Sequence, residues 1–422
     1  MKADLVITNI GQLVTCVSNG KPKRGADMRE VGLIENGAVA VVAGKFVAVG
    51  PASKIESQWI TDETVDANGR VVCPGFVDPH THIVFAGDRL DEFELKIRGA
   101  EYLEILAAGG GILSTVKATR AAAAEQLVVL GLRRLDKMLA CGTTTAEIKT
   151  GYGLDLETES KMLRVIEDLD RQHPIDIVPT FLPAHAVPPE FANNTDGYVD
   201  LIRRDMLPSV WSWYVGSAFY RKAPLFCDVY CENRTFTVRQ TQEILETAKS
   251  LGFKLKAHVD QFNNLGGSRL AIEARATSID HLDVISDDEI SMLSKGDAIG
   301  VVIPTENFNS AKTKFAPARK LIDAGCAVAL STDYNPGSAP CPSQPMAMAI
   351  ACRYQKLLPS EAMNAATINA AYAIGLGESV GSIEVGKSAD CLIVDSADYR
   401  QLAYEFGTSN LSRVVKSGQF VL

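Results

Sequence analysis

The sequence predicts an α/β fold: a TIM-type (β/α)8 barrel with a small composite β-sandwich domain formed by both termini. Three observations predict it. Apolar strand patterns alternate with helical patterns through the middle of the chain, eight times over. Short β-branched strands crowd both ends. Five of the six histidines stand at or just after a predicted strand end, where a barrel of this kind gathers its chemistry.

Residues 1–70 read as short strands, "ADLVITNI", "AVAVVAG" and "KFVAVG", with a hairpin turn expected at Gly44-Lys45. "ETVDANGRVV" adds a strand, an Asn68-Gly69 turn and a return. The tail, with "GSIEVGKSADCLIVDS" and "LSRVVKSGQFVL", has the same character, so residues 1–70 and 375–422 are assigned to one composite domain. Residues 71–374 are assigned to the barrel. Its eight expected strands are "RVVCPGFVDPHTH", "TTTAEIKTG", "DIVPTFLPAH", "FCDVYCE", "KLKAHVDQ", "SIDHL", "AIGVVIPT" and "AVALSTDYN". Helices lie between them, among them "TFTVRQTQEILETAKSLG", which opens on a Thr cap and stops at Gly252. The Pro-containing segment 183–224 exceeds a usual loop and is expected to carry helices over the barrel mouth.

The composition is that of a globular protein: 422 residues, 46% hydrophobic and 22% charged. A net charge of −9 without any compensating Lys/Arg block argues against a nucleic-acid surface. No apolar run reaches the ~18 residues of a membrane span, and Asp4, Thr8 and Asn9 interrupt the start before a signal-peptide core can form. Nine cysteines without CxxC pairs read as reduced thiols of a cytoplasmic protein, with Cys227 and Cys231 as core residues on a strand.

His80 and His82 sit in "PGFVDPHTHIVFAG". Residues i and i+2 of a strand share a face, so the pair aims two imidazoles at one point and suits a metal. Alone it is also compatible with two surface histidines. His258 in "LKAHVDQF" and Asp333 in "ALSTDYNPGS" end two further strands and strengthen the metal reading, although His258 also reads as a satisfied core histidine. Asp333 also reads as a cap or turn former. His281 in "SIDHLDVIS" is open to three roles: ligand, general base or orienting partner. Tyr152 stands between two glycines after a strand, within reach of the mouth. "AGGGILST" lacks the GK[ST] of a phosphate loop and is expected to be a mobile loop near the mouth.

"PGFVDPHTH", the strand-five and strand-six histidines, the strand-eight aspartate and "GSIEVGKSAD" resemble the amidohydrolase superfamily. More closely, "DPHTHIVFAGDRLDEFELKIRGAEYLEI", "AGGGILSTVKATR", "TTTAEIKTGYGL", "PAHAVPPEF" and "DYNPGSAP" resemble its imidazolonepropionase family, over most of the chain. The resemblance implies one Zn or Fe ion per subunit, a homodimer, and opening of the small molecule 4-imidazolone-5-propanoate to N-formimidoyl-L-glutamate in histidine degradation. It matches His80, His82, His258 and Asp333 to metal ligands and His281 to the catalytic histidine. Arg89 matches the substrate-carboxylate clamp, and Tyr152, His185, Gln261, Asn335, Gly337 and Ser338 match substrate contacts. Some members carry Glu where this chain has Gln261.

Ring opening needs water to attack the ring carbonyl and a proton for the departing nitrogen. A metal lowers the pKa of bound water toward ~7, Asp333 is the natural proton acceptor, and His281 orients the nucleophile or stabilises the oxyanion. The alternative is another amidohydrolase, such as a cyclic deaminase or a hydantoinase-like hydrolase. Gln261 counts against a deaminase, because an amide does not shuttle protons to a leaving ammonia, and Asp260 would face the other way on a strand. A non-catalytic barrel scaffold is the remoter alternative. Glu232, at the fourth strand end, is an outside candidate for a polar network around the metal. Lys149 follows the second strand, away from the place where binuclear relatives bring a bridging group, so one metal is favoured over two.

Overall fold

The computed structural model describes residues 1–99 and 110–422. Eight parallel strands follow one another round a barrel: Phe76–Asp78, Thr143–Lys149, Asp176–Ala184, Phe226–Cys231, Lys254–Val259, Ser278–His281, Ile299–Val302 and Val328–Leu330. Side chains close the seam between the eighth and the first. Buried Gln344 donates through Nε2 to Val77 O at 3.0 Å and to Leu330 O at 3.3 Å. The Asp78 carboxylate accepts from Ser331 Oγ at 2.6 Å and from Thr332 N at 3.2 Å.

The first barrel strand is shorter than "RVVCPGFVDPHTH" predicts. That run breaks at Gly75: Val71–Pro74 pairs into the terminal sheet and Phe76–Asp78 enters the barrel. A Cβ on Gly75 would lie 2.2 Å from Thr144 Oγ1, so the crossing falls where there is no side chain to accommodate.

Both termini build the second sheet. Its strands run in the order Gln419–Phe420, Leu411–Lys416, Cys391–Val394, Val71–Pro74, Leu5–Val14, Leu33–Val42 and Lys45–Pro51. Phe46 from one end of this order and Val415 from near the other share an apolar cluster with Ile7, Leu13 and Val72, so the sheet curls over onto itself as a sandwich does. Alternate residues serve two cores. Val72, Cys391 and Ile393 point into that cluster, while Val71, Cys73, Leu392 and Val394 join the barrel's core. The hairpin turns on Ala43-Gly44, one residue before the expected position. Asn68-Gly69 does not begin a return. Thr64–Asp66 and Val71–Val72 both run parallel to Leu5–Val14, and the two residues, at φ 53° and 72°, form a bulge between them.

The helix Val238–Leu251 has the predicted boundaries. Thr237 and Gln240 form a reciprocal capping box, and Gly252 ends it at φ 113° against the Trp211 ring. Segment 183–224 is helical over Thr195–Leu201 and Leu207–Gly216, with a π-turn over Ile202–Met206. These helices pack against Val238–Leu251 rather than over the mouth. Of "AGGGILST", Gly109 and the chain before it back to residue 100 lie outside the described residues; Ile112–Ala121 is a helix. No described helix is long and apolar enough to cross a membrane.

Candidate active site

A cavity of about 400 Å³ opens at the C-terminal ends of the strands. His82, Arg89, Tyr152, His185, His258, Gln261, His281, Asp333, Asn335, Gly337 and Ser338 all line it. His80 lies just beneath, fully buried, with its Nε2 3.3 Å from His82 Nε2. The structure therefore brings the ligand, catalytic and substrate-contact candidates to one place, Glu232 excepted. His281 and Asp333 take left-handed φ values of 83° and 49°, a strained conformation of the kind that gathers at functional sites.

The ligand atoms of His80, His82 and His258 lie within 4.8 Å of one another, as do those of His80, His281 and Asp333. Asp333 Oδ1 is 3.5 Å from the Nε2 atoms of both His80 and His82. Burial, reinforced by neighbouring positive groups, holds His80, His82 and His281 well below the ordinary imidazole range, so these rings are neutral, the form that ligates a metal. Burial also pushes the Asp333 carboxyl well above its usual range. His258 Nε2 is buried without a hydrogen-bond partner, and its Nδ1 has only the 3.0 Å ion-pair contact with Asp228 Oδ2. Neutral imidazoles, an orphaned nitrogen and a desolvated carboxylate facing one point fit a divalent metal ion.

Carboxylates behind the histidines set their orientation. His80 Nδ1 lies 2.7 Å from Asp280 Oδ2, and His258 Nδ1 lies 3.0 Å from Asp228 Oδ2. The other nitrogen of His80, Nε2, faces His82 and Asp333. Burial raises Asp228, but His258 and Lys149 hold it well below the usual carboxylate range. Sequence reasoning missed both aspartates. The available signal was an Asp inside an apolar strand, "FCDVYC" and "SIDH", which must find a partner when buried.

The rest of the cavity wall is built largely from loops. Gly151 adopts φ 101°, and a Cβ there would meet His185 Nδ1 at 2.8 Å. Its carbonyl accepts from His185 Nδ1 at 3.0 Å, which turns Nε2 of that ring away from the loop. His185 stacks on His82 with ring centroids 4.8 Å apart, and burial lowers its pKa to about 3. Glu159 accepts from the amides of Gly151, Gly153 and Leu154 and so shapes the turn that presents Tyr152. Burial pushes the Tyr152 phenol up, so it remains a donor. Tyr230, which sequence reasoning also missed, donates to Gln261 Oε1 at 2.8 Å and leaves the Gln261 amide nitrogen as the donor.

Asn335 works within its own loop: Nδ2 donates to Asp333 O and Ser338 Oγ, and Oδ1 accepts from the amides of Gly337 and Ser338. Glu232 does not join the histidine–aspartate cluster. Its carboxylate accepts from the amides of Phe262 and Asn263 and from Asn263 Nδ2, anchoring the loop that follows Gln261. Asp260 faces away from the cavity and accepts from Ser268 Oγ at 2.6 Å.

A parallel barrel with a histidine–aspartate cluster at its C-terminal mouth, joined to a sheet from both termini, defines the amidohydrolase class of hydrolases. The amidohydrolase family profile matches residues 232–421, and a second profile of that description matches 63–109. The chain belongs to the imidazolonepropionase family. It is 50% identical to the imidazolonepropionase of Herpetosiphon aurantiacus, over 99% of this chain and 97% of that one. With the imidazolonepropionase of Chloroflexus aggregans the identity is 51%, over 99% and 98%. Among solved structures, an adenosine deaminase from Xanthomonas campestris with bound zinc has the same fold, with a TM-score of 0.74 at 21% identity over 100% of this chain and 93% of that one. Guanine deaminase from E. coli has a TM-score of 0.69 at 15% identity, over 99% and 98%.

Proposed function

We propose that the protein opens the ring of 4-imidazolone-5-propanoate by hydrolysis, releasing N-formimidoyl-L-glutamate. The observation that carries this reading is that a guanidinium, Arg89, and the histidine–aspartate cluster line one small cavity. A substrate with a carboxylate at one end and a cyclic amide at the other spans them.

His80, His82, His258 and Asp333 would hold one ion, zinc or iron, since imidazole ligates either. Such an ion, when bound, acidifies water and polarises a carbonyl. Asp333 takes the proton of the attacking water and returns it to the ring nitrogen as the carbon–nitrogen bond breaks. His281 stabilises the developing oxyanion. Arg89 clamps the propionate, and its planar donors fix the pose. Tyr152, His185 and Gln261 supply donors and an acceptor for the ring, and the Gly337–Ser338 turn closes the carboxylate end. The reading includes a cytoplasmic homodimer, supported by the family resemblance and, for the compartment, by nine cysteines that are all unpaired.

The test follows ultraviolet absorbance of the imidazolone as the metal-loaded protein acts, with mass spectrometry of the product. A product heavier than the substrate by one water is expected. Ammonia release with the ring intact would overturn the reading in favour of a deaminase.

A further inference from the structure

Beneath the histidines the barrel interior is charged. Lys149, the last residue of the second barrel strand, is fully buried. Its ammonium donates to Glu147 Oε1 at 2.7 Å and to Asp228 Oδ2 at 2.8 Å, and lies 3.8 Å from Asp280 Oδ2. Those two aspartate oxygens are the ones that face the histidines: Asp228 Oδ2 is 3.0 Å from His258 Nδ1, and Asp280 Oδ2 is 2.7 Å from His80 Nδ1. One cation therefore links two carboxylate–histidine pairs that approach from different strands. A second ammonium, Lys256 Nζ, is also 3.8 Å from Asp280, but its close partners are Ser278 Oγ at 2.6 Å and Ala373 O at 3.2 Å. It does not reach Asp228 by any short contact among the described residues.

We propose that Lys149 is a positioning residue for the metal centre: its ammonium holds Asp228 and Asp280 where they fix His258 and His80 with Nε2 toward the ion. The inference rests on the ligand set proposed above. Three buried carboxylates, Glu147, Asp228 and Asp280, repel one another in a medium that screens little, and they stay together only around a cation. A carboxylate fixed against Nδ1 sets the ring's tautomer and orientation, and losing such a partner typically costs ~10–100-fold in metal affinity. Lys149 does not line the cavity, so it acts through the two aspartates and not on substrate.

The test strips the full-length protein with chelator and titrates it with cobalt(II), reading affinity and the visible d–d spectrum. Lys149→Met keeps the stem and removes the charge. It is expected to bind cobalt ~10–100-fold more weakly, with an altered spectrum. Because an uncompensated carboxylate cluster can itself unfold the barrel, Glu147→Gln/Lys149→Met removes one charge of each sign and spares both aspartates. The same loss of affinity is expected in this folded double variant. Wild-type affinity and spectrum in either folded variant would overturn the proposal, as would failure of the charge-balanced variant to fold, which would make Lys149 a core residue only. His80→Ala separates the two layers. If it too binds cobalt normally, the ligand set is wrong; if it loses cobalt while the lysine variants keep it, the set stands and Lys149's role does not.

Discussion

Glu92 grips Arg89 through two of its guanidinium nitrogens, with Oε2 2.5 Å from Nε and Oε1 2.7 Å from Nη2. The same carboxylate accepts from Lys96 at 2.7 Å and from the Gly111 amide at 2.8 Å. It therefore aims the guanidinium and ties it to the start of the helix Ile112–Ala121. Burial pushes Glu92 up, but its hydrogen bonds from Arg89, Lys96 and Gly111 outweigh that and hold it at about 2.

Glu92→Gln is expected to raise KM for the imidazolone roughly tenfold, about 1.4 kcal/mol, by loosening the charge-assisted pair that orients Arg89. Metal content and kcat should change little, and steady-state kinetics with metal analysis check this. The carboxyl is depressed in the folded state, from 4.5 to about 2, so its contribution to stability is complete above 4.5 and lost as pH falls toward 2. The variant should lose that limb of the acid-denaturation curve.

Arg89→Ala is expected to keep its metal and raise KM, whereas His80→Ala loses metal and activity together. Metal analysis beside kinetics separates the two effects. An unchanged KM in Arg89→Ala would remove the clamp role.

Gly337→Ala puts a methyl 2.8 Å from Arg89 Nη1 and 2.9 Å from its Cζ. The guanidinium is the far end of a flexible side chain and will move, so the fold should lose well under ~1 kcal/mol. Substrate binding should suffer instead. The expected result is a raised KM with an unchanged melting temperature.

Glu159 is a buried carboxyl pushed up to about 7, chiefly by burial and against its hydrogen bonds from Thr150 and the Leu154, Gly153 and Gly151 amides. Between 4.5 and 7 the folded state binds more protons than the unfolded state, so this group makes stability fall as pH rises through that window. Glu159→Gln keeps an oxygen for the three loop amides and is expected to flatten that slope. Chemical denaturation at several pH values measures it.

Gln344→Ala removes the amide that joins Val77 O to Leu330 O across the barrel seam. Two buried carbonyls lose their side-chain donor, and a loss of about 1–3 kcal/mol is expected. Urea denaturation gives the value. A change below ~0.5 kcal/mol would mean that the seam is held without it.

Local pattern explains why so much of the site is legible in the chain. His80 and His82 share a strand face by period, and His185, His258, His281 and Asp333 each stand at or just after the end of an apolar strand. Gly252 and Thr237 mark a helix by chemistry that acts within four residues of each end. Where reading failed, the deciding contact was distant in sequence. Gly75 breaks one apolar run because Thr144 lies against it. Asn68-Gly69 bulges instead of reversing because both flanking segments find the same edge of Leu5–Val14.

The chain by itself determined the strand and helix order, the barrel class and the residue types that reach its mouth, because periodicity, caps and turns are local properties. Only the tertiary structure decided the second tier: that Asp228 and Asp280 stand behind His258 and His80, that Lys149 lies between them, that Tyr230 turns Gln261 and that Glu92 holds Arg89. Most of these pairs join residues on different strands or loops, and the Glu92–Arg89 pair needs its helix formed. A polar side chain on an apolar strand announces in the sequence that it needs a partner; closure of the barrel decides which partner it meets.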